Sequence, residues 1–317
     1  MTLLQLLVGL VGLVVGGELL VRGAVAIARR FDVSPLMIGL TLVGFGTSTP
    51  ELVTSLQAAL VGSPGIAVGN VVGSNICNIL LILGVAALLC PVTAKAAAFG
   101  RDGTALVVAT ALCLLVVLSG QIGRITGIVF LALLAGYISL TWFAERKARS
   151  PSASPHAAEA DETPAVQGGL GVAALMFVAG LILTVAGARF LVMAAIAMAE
   201  RLGVSEAVIG LTVVAIGTSL PELVTSVVAA IRRHGDVAFG NIIGSNVFNI
   251  LGILGLTAVV QPLAVPPEIA RLDVWVMIAA TALLLLVTIT GWRISRREGL
   301  MMLGAYAGYI GWLVANV

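Results

Sequence analysis

Charge is what this 317-residue chain has least of: 10% of its residues are Asp, Glu, Lys or Arg, against roughly 25% in an ordinary soluble domain. Cysteine appears three times and histidine twice. Cys77, Cys90 and Cys113 are odd in number, sit in or at the end of apolar runs, and show no metal-ligand spacing with His156 or His234, so neither a disulfide framework nor a thiolate metal centre is expected. They read as small buried hydrophobes. A net charge of +2, scattered over short connections, offers no surface for nucleic acid. Both histidines fall outside the apolar runs, and no glutamate has a neighbouring catalytic cysteine, so no nucleophile and base pair suggests an enzyme.

Apolar residues are what the chain has instead: 60% of the sequence is hydrophobic and the mean hydropathy is +1.14. They come in runs that repeatedly reach the roughly 20 residues needed to cross a bilayer as a helix. The first run has no basic segment before it and carries Glu18 and Arg22, unlike a signal peptide, and is read as a retained span. Apolar segments fall near 3–28, 35–62, 66–90, 103–120 and 123–144, then 169–199, 206–231, 237–261, 272–290 and 299–316. The expected class is therefore an all-α polytopic membrane protein of ten transmembrane helices. Five lie in 1–144 and five in 169–317, joined by a Ser-, Pro- and Ala-rich linker at 145–168 that lacks a helical apolar stripe.

The two halves are copies. Laying residues 39–84 over 210–255, a constant offset of 171, gives 27 identities in 46 positions. Because each copy has an odd number of spans, the second must enter the membrane from the opposite side. Loop charge agrees: with both termini outside, the inner loops and the linker hold Arg29, Arg30, Lys95, Arg101, Arg146, Lys147, Arg149, Arg232, Arg233, Arg293, Arg296 and Arg297. The outer loops hold Arg124, Arg201 and Arg271. That is a positive-inside bias in a cell (inner) membrane, and inverted repeats place a substrate site near the midplane where they meet.

Two motif pairs carry chemistry. Gly-Thr-Ser-Thr-Pro-Glu at 46–51 and Gly-Thr-Ser-Leu-Pro-Glu at 217–222 each put a carboxylate, Glu51 or Glu222, in mid-membrane. Each such charge costs about 2.5–3.5 kcal/mol at a helix centre. No Lys or Arg occurs at that depth in the second, third, seventh or eighth span, so a bound cation is the simplest compensation. Pro50 and Pro221 remove a backbone donor, and nearby glycines weaken the helix further, so it should break there and free carbonyl oxygens beside Thr47, Ser48, Thr218 and Ser219. The next span in each half carries Gly-Asn-Val-Val-Gly-Ser-Asn-Ile-Cys-Asn at 69–78 and Gly-Asn-Ile-Ile-Gly-Ser-Asn-Val-Phe-Asn at 240–249. Ser74 and Asn78 share one helix face, as do Ser245 and Asn249, and Asn70 extends the first by a turn. Asn75 and Asn246 lie off that face, as open to a packing role as to a binding one. Carboxylate, carbonyl, hydroxyl and amide oxygens without sulfur or imidazole suit calcium, sodium or magnesium. Glu18 meets Arg189 at the offset, has no symmetric twin, and is at least as well explained by a tie to Arg22 one turn away.

At these paired motifs the chain resembles the cation/calcium antiporter superfamily, and most of all its prokaryotic sodium/calcium exchangers. The resemblance implies four cation sites between spans two, three, seven and eight. Calcium would be held by Glu51, Glu222 and the carbonyls of Thr47 and Thr218. Flanking sodium sites would be completed by Ser48, Ser74, Ser219 and Ser245 with the carbonyls of Gly44 and Ala215, and Asn78 and Asn249 would line the centre. It implies calcium and sodium as transported ions with protons competing, the bilayer as surroundings, no cofactor, no obligate protein partner, and first and sixth spans that slide to open the site alternately. Asn249 stands where some relatives carry aspartate, which argues against potassium co-transport. Calcium/proton exchange is the nearest alternative and a cation channel a more distant one.

Overall fold

The structure, a computed structural model, describes residues 2–31, 46–94, 96–146, 169–232 and 235–316. Gly44, Lys95, Lys147, Arg149, Arg233, both histidines and the linker from 147 to 168 lie outside them. The described chain is almost entirely helical. In order it forms α1 (Thr2–Arg30), α2 (Thr49–Leu60), α3 (Pro64–Leu89), α4 (Ala96–Leu118) and α5 (Arg124–Arg146), then α6 (Leu170–Leu202), α7 (Glu206–Thr218), α8 (Leu220–Ile231), α9 (Gly235–Val260), α10 (Ile269–Ile289) and α11 (Arg296–Ala315). Seven described helices are long and apolar enough to cross a membrane, or eight if α7 and α8, bent by 47° at their break, are counted as one span. Their outward faces carry apolar side chains, with Leu115, Ile125, Leu175, Ile182, Leu286 and Leu300 each more than 60% exposed. A surface of that kind is stable against lipid, not water.

The offset of 171 persists in the elements. Thr49–Leu60 falls on Leu220–Ile231, and Pro64–Leu89 on Gly235–Val260. The two long helices α3 and α9 widen into π-helical turns at nearly matching places, Cys77–Ile82 and Asn249–Leu254, the kind of irregularity that gathers at functional sites.

Short strands between the helices tie the halves together. β1 (Val92–Thr93) follows α3 and pairs antiparallel with β4 (Arg293–Ile294), which precedes α11. β2 (Gln121–Ile122), between α4 and α5, pairs with β3 (Leu263–Ala264), which follows α9. α4 is 23 residues long, about 34 Å at 1.5 Å per residue, and it separates β1 from β2. The two ribbons therefore sit at opposite ends of the bundle. β1 and β3 correspond at the offset, so matching points of the halves lie at opposite ends too.

α3 and α9 form the centre: 83% and 78% of their apolar windows are buried, against 22% for α6. α6 packs antiparallel on α1 through glycines. A Cβ at Gly9 would lie 2.7 Å from Leu191 N, at Gly16 2.5 Å from Thr184 N, at Gly187 2.7 Å from Leu13 N, and at Gly180 closer still to Leu20 N. Each residue number and its contact sum to 200, so one antiparallel register holds along both helices. Glu18 is ion-paired with Arg22 on the exposed side of α1. Cys77 and Cys113 are buried, Cys90 is partly so, and all three are free.

Candidate cation site

The break comes two residues before each of the prolines that the sequence marks. Ser48 (φ −85°, ψ 10°) and Ser219 (φ −83°, ψ 9°) both leave helical geometry in the same way. Pro50 and Pro221 then occupy the first turn of α2 and α8, where a missing N–H costs nothing because no intrahelical acceptor awaits it. Glu51 and Glu222 lie in those same first turns. A carboxylate there faces the positive end of the helix dipole and free backbone N–H groups, a compensation that sequence reasoning overlooked.

The two halves then exchange hydrogen bonds. Ser48 Oγ donates to Glu222 Oε1 at 2.7 Å, and Ser219 Oγ donates to Glu51 Oε1 at 2.8 Å. These bonds bring the two acids into one site. Glu51, Glu222, Ser48, Ser74, Asn78, Thr218, Ser219, Ser245 and Asn249 are all at most 1% exposed, and among the described residues no lysine or arginine is hydrogen-bonded or ion-paired to either carboxylate.

Around this pair lies a set of polar atoms without partners. Glu51 Oε2, Glu222 Oε2, Ser74 Oγ, Ser245 Oγ, Asn78 Oδ1, both side-chain polar atoms of Asn249, and Thr47 Oγ1 are buried and make no hydrogen bond. Buried polar groups are nearly always satisfied, so this density of unpaired oxygens marks a place for a ligand that accepts oxygen donors. Among the described residues no group of three or more His, Cys, Asp or Glu comes together, and the acids of the described site are the two carboxylates amid neutral oxygens. The Ala215 carbonyl accepts from Ser219 N at 3.1 Å. Gly44, its counterpart, is outside the described residues.

Several members were missed or left open. Asn246 Oδ1 accepts from Asn78 Nδ2 at 3.1 Å, so Asn246 joins the cluster despite lying off the expected face. Asn75 instead donates to Val71 O at 2.8 Å within its own helix. Asn70 donates to Glu51 O at 3.2 Å and Ser55 Oγ at 2.9 Å, and Asn241 to Ser226 Oγ at 3.2 Å. The signal for Ser55 and Ser226 was their identity at the offset.

Comparison with known proteins decides the family. The family model described as sodium/calcium exchanger protein matches residues 1–143 and 172–315. The chain belongs to the sodium/calcium exchanger family. Among relatives of this exchanger-family chain, the sodium/calcium exchanger MaX1 of Methanosarcina acetivorans is 35% identical over 97% of each chain. The inner membrane protein YrbG of Escherichia coli is 38% identical over 97% of this chain and 94% of its own. A solved structure of the sodium-calcium exchanger NCX_Mj, soaked with Na+ and Sr2+, superposes with a TM-score of 0.62 at 32% identity, covering 98% of this chain and 99% of that one. A multi-pass membrane protein of the exchanger family, with calcium and sodium as the family's ions, is thus the common ground of sequence, fold and relatives.

Proposed function

We propose that this exchanger moves calcium across the membrane against sodium by alternating access, at a site built from Glu51, Glu222, the carbonyls of Thr47, Thr218, Gly44 and Ala215, the hydroxyls of Ser48, Ser74, Ser219 and Ser245, and Asn78 and Asn249. The observation that carries the reading is the crosswise pair of serine-to-glutamate bonds, each leaving one carboxylate oxygen buried and unpartnered. Calcium accepts six to eight oxygens in flexible geometry and neutralises two carboxylates. The neutral hydroxyl oxygens beside them suit additional monovalent ions, which favours sodium over protons as the driving ion. Three sodium ions against two carboxylates leave one positive charge, so exchange is electrogenic. With Asn249 contributing no charge, potassium is not required. Protons compete for a carboxylate pair in a low-dielectric site, and exchange falls as the medium is acidified toward about pH 5.

The architecture in this reading is ten spans in two inverted five-helix repeats, 1–144 and 169–317, with 145–168 as a cytoplasmic linker and both termini outside the inner membrane. The ribbons β1–β4 and β2–β3, at opposite ends of the bundle, support the inversion. The name of the Escherichia coli relative supports the membrane.

Calcium uptake into sealed, sodium-loaded vesicles tests the function. Wild-type uptake should follow an imposed sodium gradient and generate a membrane potential. Glu51→Gln and Glu222→Gln should each lower it by more than the roughly 10–100-fold that loss of an outer-shell partner costs a metal site. Uptake that tracks a pH gradient and ignores sodium would replace sodium by protons. Calcium flux without any counter-ion would replace the exchanger by a channel.

A further inference from the structure

The two halves match in sequence but not in one set of hydrogen bonds. Asn70 and Asn241 correspond at the offset, as do Thr218 and Thr47, Ser226 and Ser55. Asn70 makes the full set: its amide donates to Glu51 O and Ser55 Oγ on α2, and its Oδ1 lies 3.1 Å from Thr218 Oγ1 of α7, whose single proton is shared with Val214 O at the same distance. Among the described residues the Asn241 amide donates to Ser226, and Thr47 Oγ1 makes no bond of good geometry to complete the matching contact with Asn241. Asn70 is fully buried and Asn241 is 5% exposed.

Position gives the bond its leverage. Thr218 directly precedes Ser219, whose hydroxyl holds Glu51, and Asn70 also holds the main chain of Glu51. A closed Asn70–Thr218 bond therefore ties both sides of the α7–α8 break to the start of α2. Thr47 stands in the same relation to Ser48 and Glu222. If the two inverted halves exchange conformations between the end states, an asymmetry present in one state reverses in the other.

We propose that Asn70 and Asn241 are positioning residues of two alternating latches. One closes on Thr218 and the other on Thr47, and only one is shut in each access state. This rests on reading the site as that of an alternating-access exchanger.

The test uses full-length protein in sealed vesicles, with half-saturating calcium measured at each face in turn. Thr218→Val keeps the side-chain shape and the backbone carbonyl while removing the hydroxyl. It should raise half-saturating calcium at one face and lower it at the other by about threefold to tenfold, the factor one buried hydrogen bond carries. Thr47→Val should do the reverse, the double variant should return the ratio of the faces toward wild type, and Thr218→Ser, which restores the hydroxyl, should cancel the opposed shifts of Thr218→Val. Each single variant makes the two-faced prediction alone, so one that fails to assemble leaves the other decisive. Shifts of the same sign at both faces, or none, overturn the latch. If Glu51→Gln abolishes exchange in the same vesicles while the valines shift both faces alike, the latch falls and the site stands. If Glu51→Gln leaves exchange intact, both fall.

Discussion

The α1–α6 pair and the core around Glu51 and Glu222 pack helices against one another by opposite means. In the pair, glycine lets one backbone lie directly on another, along one antiparallel register from Gly9 to Gly187. In the core, hydroxyls and amides cross between helices and hold them by direction. Lipid offers no hydrophobic force between helices, so close backbone contact and polar bonds are the two means available. Directional bonds hold atoms where a cation needs them. The pair meets the core differently, through apolar surfaces such as Leu10 over Gly217 and Pro50 beside Gly17. An apolar surface has no bonds to break when it slides. In the proposed exchange cycle, binding would fall to the core and the larger movement to the pair, whose tight mutual contact would carry it as one body.

Breaking the pair should have the largest effect. A Cβ at Gly180 already collides with the Leu20 backbone, and Leu there forces the helices apart, an overpacking that costs about 1–3 kcal/mol. Gly180→Leu should abolish sodium-driven calcium uptake and lower the unfolding midpoint in detergent, while Gly136→Leu, where an added Cβ meets nothing within 4 Å among the described residues, should change neither. Wild-type uptake by Gly180→Leu would show that α1 and α6 need not move together.

An intermediate effect is expected from the crossed serines. Ser48→Ala and Ser219→Ala each remove a hydrogen bond to a carboxylate, a contact of about 1.5–3 kcal/mol, and half-saturating sodium or calcium should rise about tenfold in each. Equal effects are required if the cross is symmetric in function. A loss confined to one serine would mean that the two carboxylates are not equivalent partners.

That cross also shows where sequence reading ended. The duplicated motifs, the apolar helices and the buried acids were legible because an intramembrane charge and a repeated motif have few explanations. Ser48-x-x-Glu51 and Ser219-x-x-Glu222 also match a capping box, the local pattern in which a serine and the third residue after it serve one helix end. Ser295 and Glu298 do form that box at the start of α11, yet Ser48 and Ser219 make no cap bond and donate to the glutamate of the opposite half. Spacing cannot separate the two cases, since only tertiary approach brings a second carboxylate within reach. Asn246 escaped for a related reason. The shared-face rule assumes 3.6 residues per turn, and its partner Asn78 lies in the π-helical turn Cys77–Ile82, where that period fails.

The smallest effect is expected outside both regions, at a second pair of matched contacts. Tyr137 hydroxyl donates to Asp102 at 3.2 Å and Tyr309 hydroxyl to Asp273 at 2.8 Å, joining α4 to α5 and α10 to α11. Asp102 also takes two bonds from Arg101, whereas among the described residues the hydrogen bond given for the Asp273 side chain is the one from Tyr309. Removing one hydroxyl should therefore cost more at Asp273. Tyr309→Phe should lower stability by about 1 kcal/mol and Tyr137→Phe by less, read as unfolding midpoints in detergent, with calcium uptake unchanged in both. These helices neither line the site nor form the sliding pair, so a change in uptake greater than the change in stability would extend the moving or binding machinery to the rim of the bundle and erase the division between pair and core.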